Sequence, residues 1–393
     1  MAGPVTLSVA QWLIKKVANS KGVSRLFWIS VIIIGAMVVF GGVGPTIETL
    51  KSVVHTTIKQ EIPEVGNLLP DSTGPVHVYF TEPNGSPSEN QAIAKACVSY
   101  IDAARASIDV AAFELDNQLI IAALVRAAGR GVKVRLVTDT DYVHESGVTA
   151  LRGAGVPVVD DQRDALMHNK FMVFDKKAVW TGSMNFTENC AYKNNNNGLY
   201  IESVELAENY TTKFRWMFEE KNFGSRKGFF RSEKIPHPII KFSDGTIIES
   251  YFSPDDRIAA KVTNLVGESK KSIHFLAFSY THNDIAKAMS DRGRAGVEVR
   301  GVFEKSQAAS SYSQFSKLSA LGFPVYLDAN PKNMHHKVIV IDGETTLAGS
   351  FNFSDSADRS NDENALIIRN NKALGSKFEG EFKKVYDQAT AVK

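Results

Sequence analysis

Apolar and polar positions along this chain follow three regimes. Between residues 26 and 43 the run LFWISVIIIGAMVVFGGV is uncharged for 18 residues, enough for one crossing of a bilayer. A mixed stretch with Pro45, Pro63, Pro70 and Gly74 follows. Beyond it, short apolar runs alternate with helical periodicities. VHVYF (76–80) reads as a strand. Ser86, Pro87 and Glu89 announce a helix through a cap, a first-turn proline and a capping-box acid. Ile93, Ala96, Cys97, Tyr100, Ile101 and Ala104 then recur at helical spacing. SIDVAAF (107–113) reads as a buried strand, Asp116 as the cap of a second helix ending near Gly129 and Gly131, and VKVRLVT (132–138) as another strand.

The same plan is then written again. SIHFLAF (272–278) repeats SIDVAAF and GVEVRGV (296–302) repeats GVKVRLV (131–137), both 165 residues later. Strands alternating with helices predict an α/β fold of two sandwich domains with mixed sheets. The expected division is 1–25 as a cytoplasmic segment, 26–43 as an N-terminal transmembrane helix, 44–73 as a stalk, and 74–230 and 231–393 as the two domains.

A second repeat carries the chemistry. MHNKFMVFD (167–175) followed by TGSMNF (181–186) recurs as MHHKVIVID (334–342) followed by AGSFNF (348–353), with an offset of 167. In each copy a histidine precedes a lysine by two residues and an aspartate by seven, with Gly-Ser-x-Asn-Phe beyond. Strand alternation turns His168 with Lys170, and His335 with Lys337, toward a common surface. Asn185 and Asn352 can add their amides. Two imidazoles, two ammonium groups and two amides suit a phosphodiester: one imidazole attacks phosphorus, the other protonates the leaving oxygen, and the rest stabilise the charged oxygens. Ser183 and Ser350 join Lys170, Lys337, Asn185 and Asn352 as expected substrate contacts. Asp175 and Asp342, at strand ends, serve chemistry or structural ion pairs. Asn169 and His336 fall on the opposite strand face as bystanders.

These motifs resemble the phospholipase D superfamily, whose hallmark is His-x-Lys-x4-Asp followed by Gly-Ser-x-Asn. The resemblance spans about residues 74–393, and GSFNFSDSADRSNDENALII is most similar to the bacterial endonuclease and cardiolipin-hydrolase branch. It implies a pseudo-twofold pair of phospholipase D-like domains with one active site completed within one chain, no metal and no other cofactor. It also implies a covalent phosphohistidine and an acid downstream of each motif that orients the histidine. Glu363 fills that position in the second copy; Asn196 stands there in the first. On this reading Glu363 backs His335, making it the general acid, and His168 is the nucleophile.

Composition narrows the partners. Lys15, Lys16, Lys21 and Arg25 precede the first carboxylate, Glu48, so a formal charge of +2 leaves about −2 after residue 47. The body lacks the basic excess that drives tight nucleic-acid binding. Those four cations before the apolar run, against Lys51 and Lys59 after it, put the N-terminus in the cytoplasm and the catalytic domains outside it, periplasmic in a bacterium. A cleaved signal and a mitochondrial address, suggested by VAQWLIKKVANS, are the alternatives. Cys97 and Cys190 form neither a zinc spacing nor an expected disulfide. Residues 221–241 bring Lys221, Arg226, Lys227, Arg231, Lys234 and Lys241 around Phe223, Phe229 and Phe230: a solvated linker, or a basic lip for an anionic substrate. The expected function is hydrolysis of phospholipid phosphodiesters. An anchored DNA or RNA endonuclease, a phosphatidyltransferase of the cardiolipin-synthase kind and a non-catalytic scaffold are the competitors.

Overall fold

Runs rich in Val, Ile and Phe need apolar neighbours on both faces. The described residues of the computed structural model, 74–225 and 233–391, supply them as two mixed sheets. The apolar run 26–43, the stalk and residues 226–232 of the basic stretch lie outside the described residues. Among those described, no helix is long and apolar enough to cross a membrane.

The first sheet holds β1 (Val76–Phe80), β2 (Ser107–Ala112), β3 (Lys133–Thr138), β4 (Val158–Asp160), β5 (Lys170–Phe174), β6 (Ala178–Gly182) and β7 (Asn197–Glu202), in the order β1-β7-β6-β5-β2-β3-β4. The second holds β8 (Ile239–Lys241), β9 (Ile247–Ser253), β10 (Ser272–Ala277), β11 (Glu298–Phe303), β12 (Val325–Leu327), β13 (Lys337–Ile341), β14 (Thr345–Gly349) and β15 (Glu363–Arg369), in the order β12-β11-β10-β13-β14-β15-β9-β8. Read from opposite ends the two orders are the same, with β8 added at one edge. In both, the strand carrying the His-x-Lys motif lies antiparallel to the strand of the first repeat: Ala112 faces Lys170 and Ala277 faces Lys337.

One hydrophobic cluster joins both sheets. It mixes Phe171, Val173, Tyr210 and Phe214 with Phe252, Val338, Leu366 and Phe378, and draws on the helices Val204–Phe218 and Lys372–Ala391. The outer faces carry their own cores, one with Cys97 and Leu124, the other with Val262 and Phe275. All five residues of β5 and of β13 are therefore buried, which is why FMVF and VIVI are continuously apolar. The Ser86 capping box forms as its sequence implies. The second helix, Gln118–Gly129, is capped by Asn117 instead of Asp116, whose carboxylate accepts the Glu188 N–H.

Two local features aim the motif residues. Gly182 and Gly349 have φ of +146° and +150°, and a Cβ on either would lie 2.4 Å from the carbonyl oxygen of Asn197 or Asn364. Only glycine lets β7 and β15 approach so closely just before Ser183 and Ser350. At the far end of β5 and β13, Asp175 and Asp342 occupy left-handed turns at φ +52° and +55°.

Candidate functional site

Each histidine is clamped by the other half of the molecule. The His168 N–H donates to the Asp362 carbonyl (3.0 Å), and the His335 N–H to the Asn195 carbonyl (2.9 Å). Asp362 and Asn195 immediately precede Glu363 and Asn196. The side chains follow the same crossing. His168 Nδ1 lies 2.8 Å from both carboxylate oxygens of Glu363. His335 Nδ1 lies 3.0 Å from Asn196 Oδ1 and 3.1 Å from the Ser183 carbonyl. The expected pairing of Glu363 with His335 is thus corrected: sequence spacing matches each orienting group to the histidine of its own repeat, whereas the halves exchange them across their interface. With Glu363 against His168, no carboxylate holds a proton on His335.

Both rings are 6% exposed and otherwise buried. Each stands edge-on to an aromatic neighbour, Phe113 at 4.8 Å and Phe278 at 4.5 Å. The same rings sit under the lysines, with Lys170 Nζ 4.9 Å from Phe113 and Lys337 Nζ 4.6 Å from Phe278. Each Nζ also donates to the carbonyl of its own histidine, at 2.6 and 2.7 Å. One donor of each ammonium is fixed this way, and the other two remain for a ligand.

Charge inside the cluster is strongly perturbed. Burial, helped by the ammonium groups of Lys170 and Lys337, pushes the His168 imidazole well below its usual range. Burial and then Lys337, Lys170 and His168 do the same to His335. These mutual effects tie the two halves into one electrostatic unit. Burial lowers Lys170 to about 8 although Glu363 and Glu114 pull it upward. Burial raises the Glu363 carboxyl to about 8, against the pull of both lysines. Burial, with the charge of Lys170, also pushes Lys337 well below its usual range. Near neutrality His168 and Glu363 therefore share one proton, and an anion bound beside the two lysines would favour their charged forms.

The serines take a different part from the one expected of them. Neither hydroxyl reaches the cleft: both are fully buried, Ser183 Oγ donating to Asn196 Oδ1 (2.9 Å) and Ser350 Oγ to Glu363 Oε2 (2.6 Å). They hold the groups that hold the histidines. Asn185 Nδ2 donates to Glu114, and the Oδ1 atoms of Asn185 and Asn352 are buried without a hydrogen-bond partner.

Asp175 and Asp342 are corrected on both of the roles expected of them. Their carboxylates accept the backbone N–H groups of Arg105, Ala106 and Ser107, and of Lys270, Lys271 and Ser272. Asp175 follows β5, seven residues from His168, so the two are separated by roughly 23 Å at ~3.3 Å per residue. Neither aspartate touches the cluster; each ties the turn after one strand to the start of another. Phe223 is also corrected: it packs in the central core, while Gly224 donates its N–H to Asp362 (2.9 Å).

Several contributors were not singled out from the sequence. Asn169 and His336 are no bystanders: Asn169 Oδ1 accepts from Asn364 Nδ2, and His336 Nδ1 from Asn197 Nδ2, both at 2.9 Å. Asp139 and Glu304 accept the N–H groups of Met167 and Met334, at 2.9 and 2.6 Å. All of these recur at the repeat spacing of 165 or 167, as do Phe113 and Phe278. Extending the internal alignment beyond its most obvious blocks reveals them. Among the described residues no group of three or more His, Cys, Asp or Glu could hold a metal ion.

Comparison with known proteins agrees with this geometry. The family model described as "Cardiolipin synthase, PLD-like domain" matches twice, over residues 97–218 and 262–386. The mitochondrial cardiolipin hydrolase of Canis lupus familiaris is 36% identical over 134 residues, 34% of this chain and 52% of that protein. The chain thus spans about half the length of that relative. A phospholipase D of Rickettsia bellii is 36% identical over 141 residues, 35% of this chain and 67% of that protein. Among solved structures, phosphatidylserine synthase of Haemophilus influenzae covers 79% of this chain and 86% of its own, with a TM-score of 0.59 at 14% identity; that likeness concerns the fold. With the twice-matched family model and the two interlocked His-x-Lys motifs, the chain belongs to the PLD-like domain family of the phospholipase D superfamily.

Proposed function

We propose that this chain is a phosphodiester hydrolase acting on phospholipids through a phosphohistidine on His168. The observation that carries the reading is the crossed pairing of His168 with Glu363 and His335 with Asn196 beside two buried lysines. A carboxylate against Nδ1 holds that proton and leaves the Nε2 lone pair facing outward, the tautomer a nucleophile needs. Nε2 attacks phosphorus and the bond to the leaving oxygen breaks; His335, neutral in the free enzyme but drawn to its protonated form by the bound phosphodiester anion, supplies that oxygen with a proton. Water then attacks; His335 takes its proton, and the bond from phosphorus to His168 breaks. While phosphorus is bonded to His168 the imidazole is cationic, and Glu363 offsets that charge. Asn196 offers no charge, so His335 gives up its proton more readily than a carboxylate-backed histidine would. Lys170 and Lys337 face the non-bridging oxygens.

A lipid substrate is supported by relatives named cardiolipin hydrolase and phospholipase D. The apolar run 26–43 would hold the site near a membrane. The test offers the full-length chain, with a chelator present, phospholipid vesicles, single-stranded DNA, RNA and bis(p-nitrophenyl) phosphate in parallel. Release of headgroup from vesicles is the expected result. Cleavage of nucleic acid alone would replace the lipid assignment, and inactivity on all four would overturn the reading.

A further inference from the structure

The halves repeat most of each other's site residues, but the wall beside His168 departs from the repeat. Where the second half has Ser279, the first has Glu114. Glu114 directly follows Phe113, the ring packed against His168. Its carboxylate accepts from Asn185 Nδ2 and from the Tyr142 hydroxyl, and its charge reaches Lys170. A carboxylate thus stands beside an amide that would otherwise be free to meet phosphate. For an anionic substrate alone that placement is repulsive.

A second observation concerns Asn185 itself. The residue is 4% exposed, and with Nδ2 directed to Glu114 its Oδ1 is buried with no hydrogen-bond partner. A buried amide oxygen left unpaired is costly. The wall therefore presents a carboxylate and an amide oxygen side by side, both acceptors. Tyr142 adds an aromatic ring, packed edge-on to Phe113 at 4.7 Å. A ligand group that is positively charged and carries several N–H donors satisfies all three features. A hydroxyl would leave the carboxylate charge unbalanced, a quaternary ammonium has no N–H for Asn185, and a nucleic-acid backbone brings only more anions.

We propose that Glu114, with Asn185 Oδ1 and Tyr142, forms a subsite for the primary ammonium of an aminoalkyl phosphodiester, the ethanolamine type of zwitterionic phospholipid headgroup. The proposal rests on the phosphodiesterase reading above and adds to it a headgroup preference. Glu114 acts as a specificity-determining residue, favouring a substrate that brings its own cation.

The experiment measures kcat/KM of the full-length wild type and of Glu114→Gln, Glu114→Ser and Glu114→Asp on vesicles of phosphatidylethanolamine, phosphatidylcholine or phosphatidylglycerol, and on bis(p-nitrophenyl) phosphate. The wild type is expected to prefer the ethanolamine lipid over the glycerol lipid by about tenfold or more, one charge-assisted hydrogen bond's worth. Glu114→Gln and Glu114→Ser are expected to cut that ratio about tenfold, chiefly through KM, and to raise relative turnover of the glycerol lipid. Glu114→Asp, which restores the charge, retains the preference. A wild-type ratio near one, a ratio unmoved by Gln and Ser, or equal loss on every substrate would overturn the proposal. Should the Gln variant not fold, the Ser variant, which copies the twin position Ser279, gives the same readout. A wild type inactive on every phosphodiester, the small ester included, would sink the phosphodiesterase reading; an active enzyme with an unmoved ratio would sink the subsite alone.

Discussion

Replacing Glu363 with glutamine keeps the shape of the side chain and removes its charge, which isolates what the carboxylate does for His168. Glu363 is fully buried, with both oxygens 2.8 Å from Nδ1 and one accepting from Ser350 at 2.6 Å. Glutamine can still accept from the ring, so the geometry survives. What is lost is attraction to the positive imidazole formed when phosphorus bonds to Nε2. Charges about 4 Å apart at an effective dielectric constant near 20 interact by about 4 kcal/mol. Between half and all of that charge developing in the transition state corresponds to a fall in kcat of about 30- to 1000-fold. The substitution has a second signature. The Glu363 charge helps Lys170 keep its proton, so its removal moves the alkaline limb of the pH profile to lower pH. The assay is steady-state hydrolysis of bis(p-nitrophenyl) phosphate from pH 6 to 9, on variants whose circular dichroism and Tm match the parent. A folded Glu363→Gln enzyme within about threefold of wild type would refute the reasoning. So would a larger rate loss in Asn196→Ala, since that would return the carboxylate to a minor part.

His335→Ala should slow the first step, formation of the phosphohistidine, by about 10²- to 10⁴-fold for alkyl leaving groups and much less for p-nitrophenyl esters, whose burst of p-nitrophenol persists while steady turnover falls, because a good leaving group needs little protonation; equal losses of the first step on both would remove His335 from the acid role. In the wild type, kcat/KM should fall above about pH 8, as Lys170 gives up its proton and the site loses a cation; a profile flat to pH 10 would contradict it. Asp175→Ala and Asp342→Ala should each lose about 1–3 kcal/mol of stability by freeing backbone N–H groups, with kcat in the folded fraction within about twofold of wild type. Burial opposes ionisation of these two carboxylates, but the three backbone donors prevail and hold their pKa below the usual value. Their stabilisation is therefore present above about pH 4 and lost as the pH falls through the depressed pKa. Acid denaturation followed by circular dichroism, shallower in the double variant, checks it.

Much of this was readable from the chain. The two repeats carry the α/β class, the paired sheets and the convergence of two histidines, because a doubled polar constellation between apolar strands has no use in a core. What stayed hidden depends on contacts between the repeats. Spacing measures position within a half, so it assigned Glu363 to His335, whereas β7 and β15 each deliver their orienting residue to the opposite motif. Ser183 and Ser350 looked like ligand contacts because nothing in the sequence shows that their hydroxyls turn back to Asn196 and Glu363. Asp175 and Asp342 belong to the motif by sequence but lie a full strand length from the chemistry. Glu114 was passed over for the opposite reason: a site residue that breaks the repeat is invisible to a search for matches.

In the proposed reaction His168 bonds to phosphorus while His335 handles protons. Acid-sparing quench of the enzyme during turnover of a phosphorus-labelled diester, followed by peptide mass spectrometry, reads this directly. Label on the peptide containing His168, accumulating further in His335→Ala with a p-nitrophenyl ester, is the predicted result. Label on His335, or turnover with no labelled histidine at all, would contradict it.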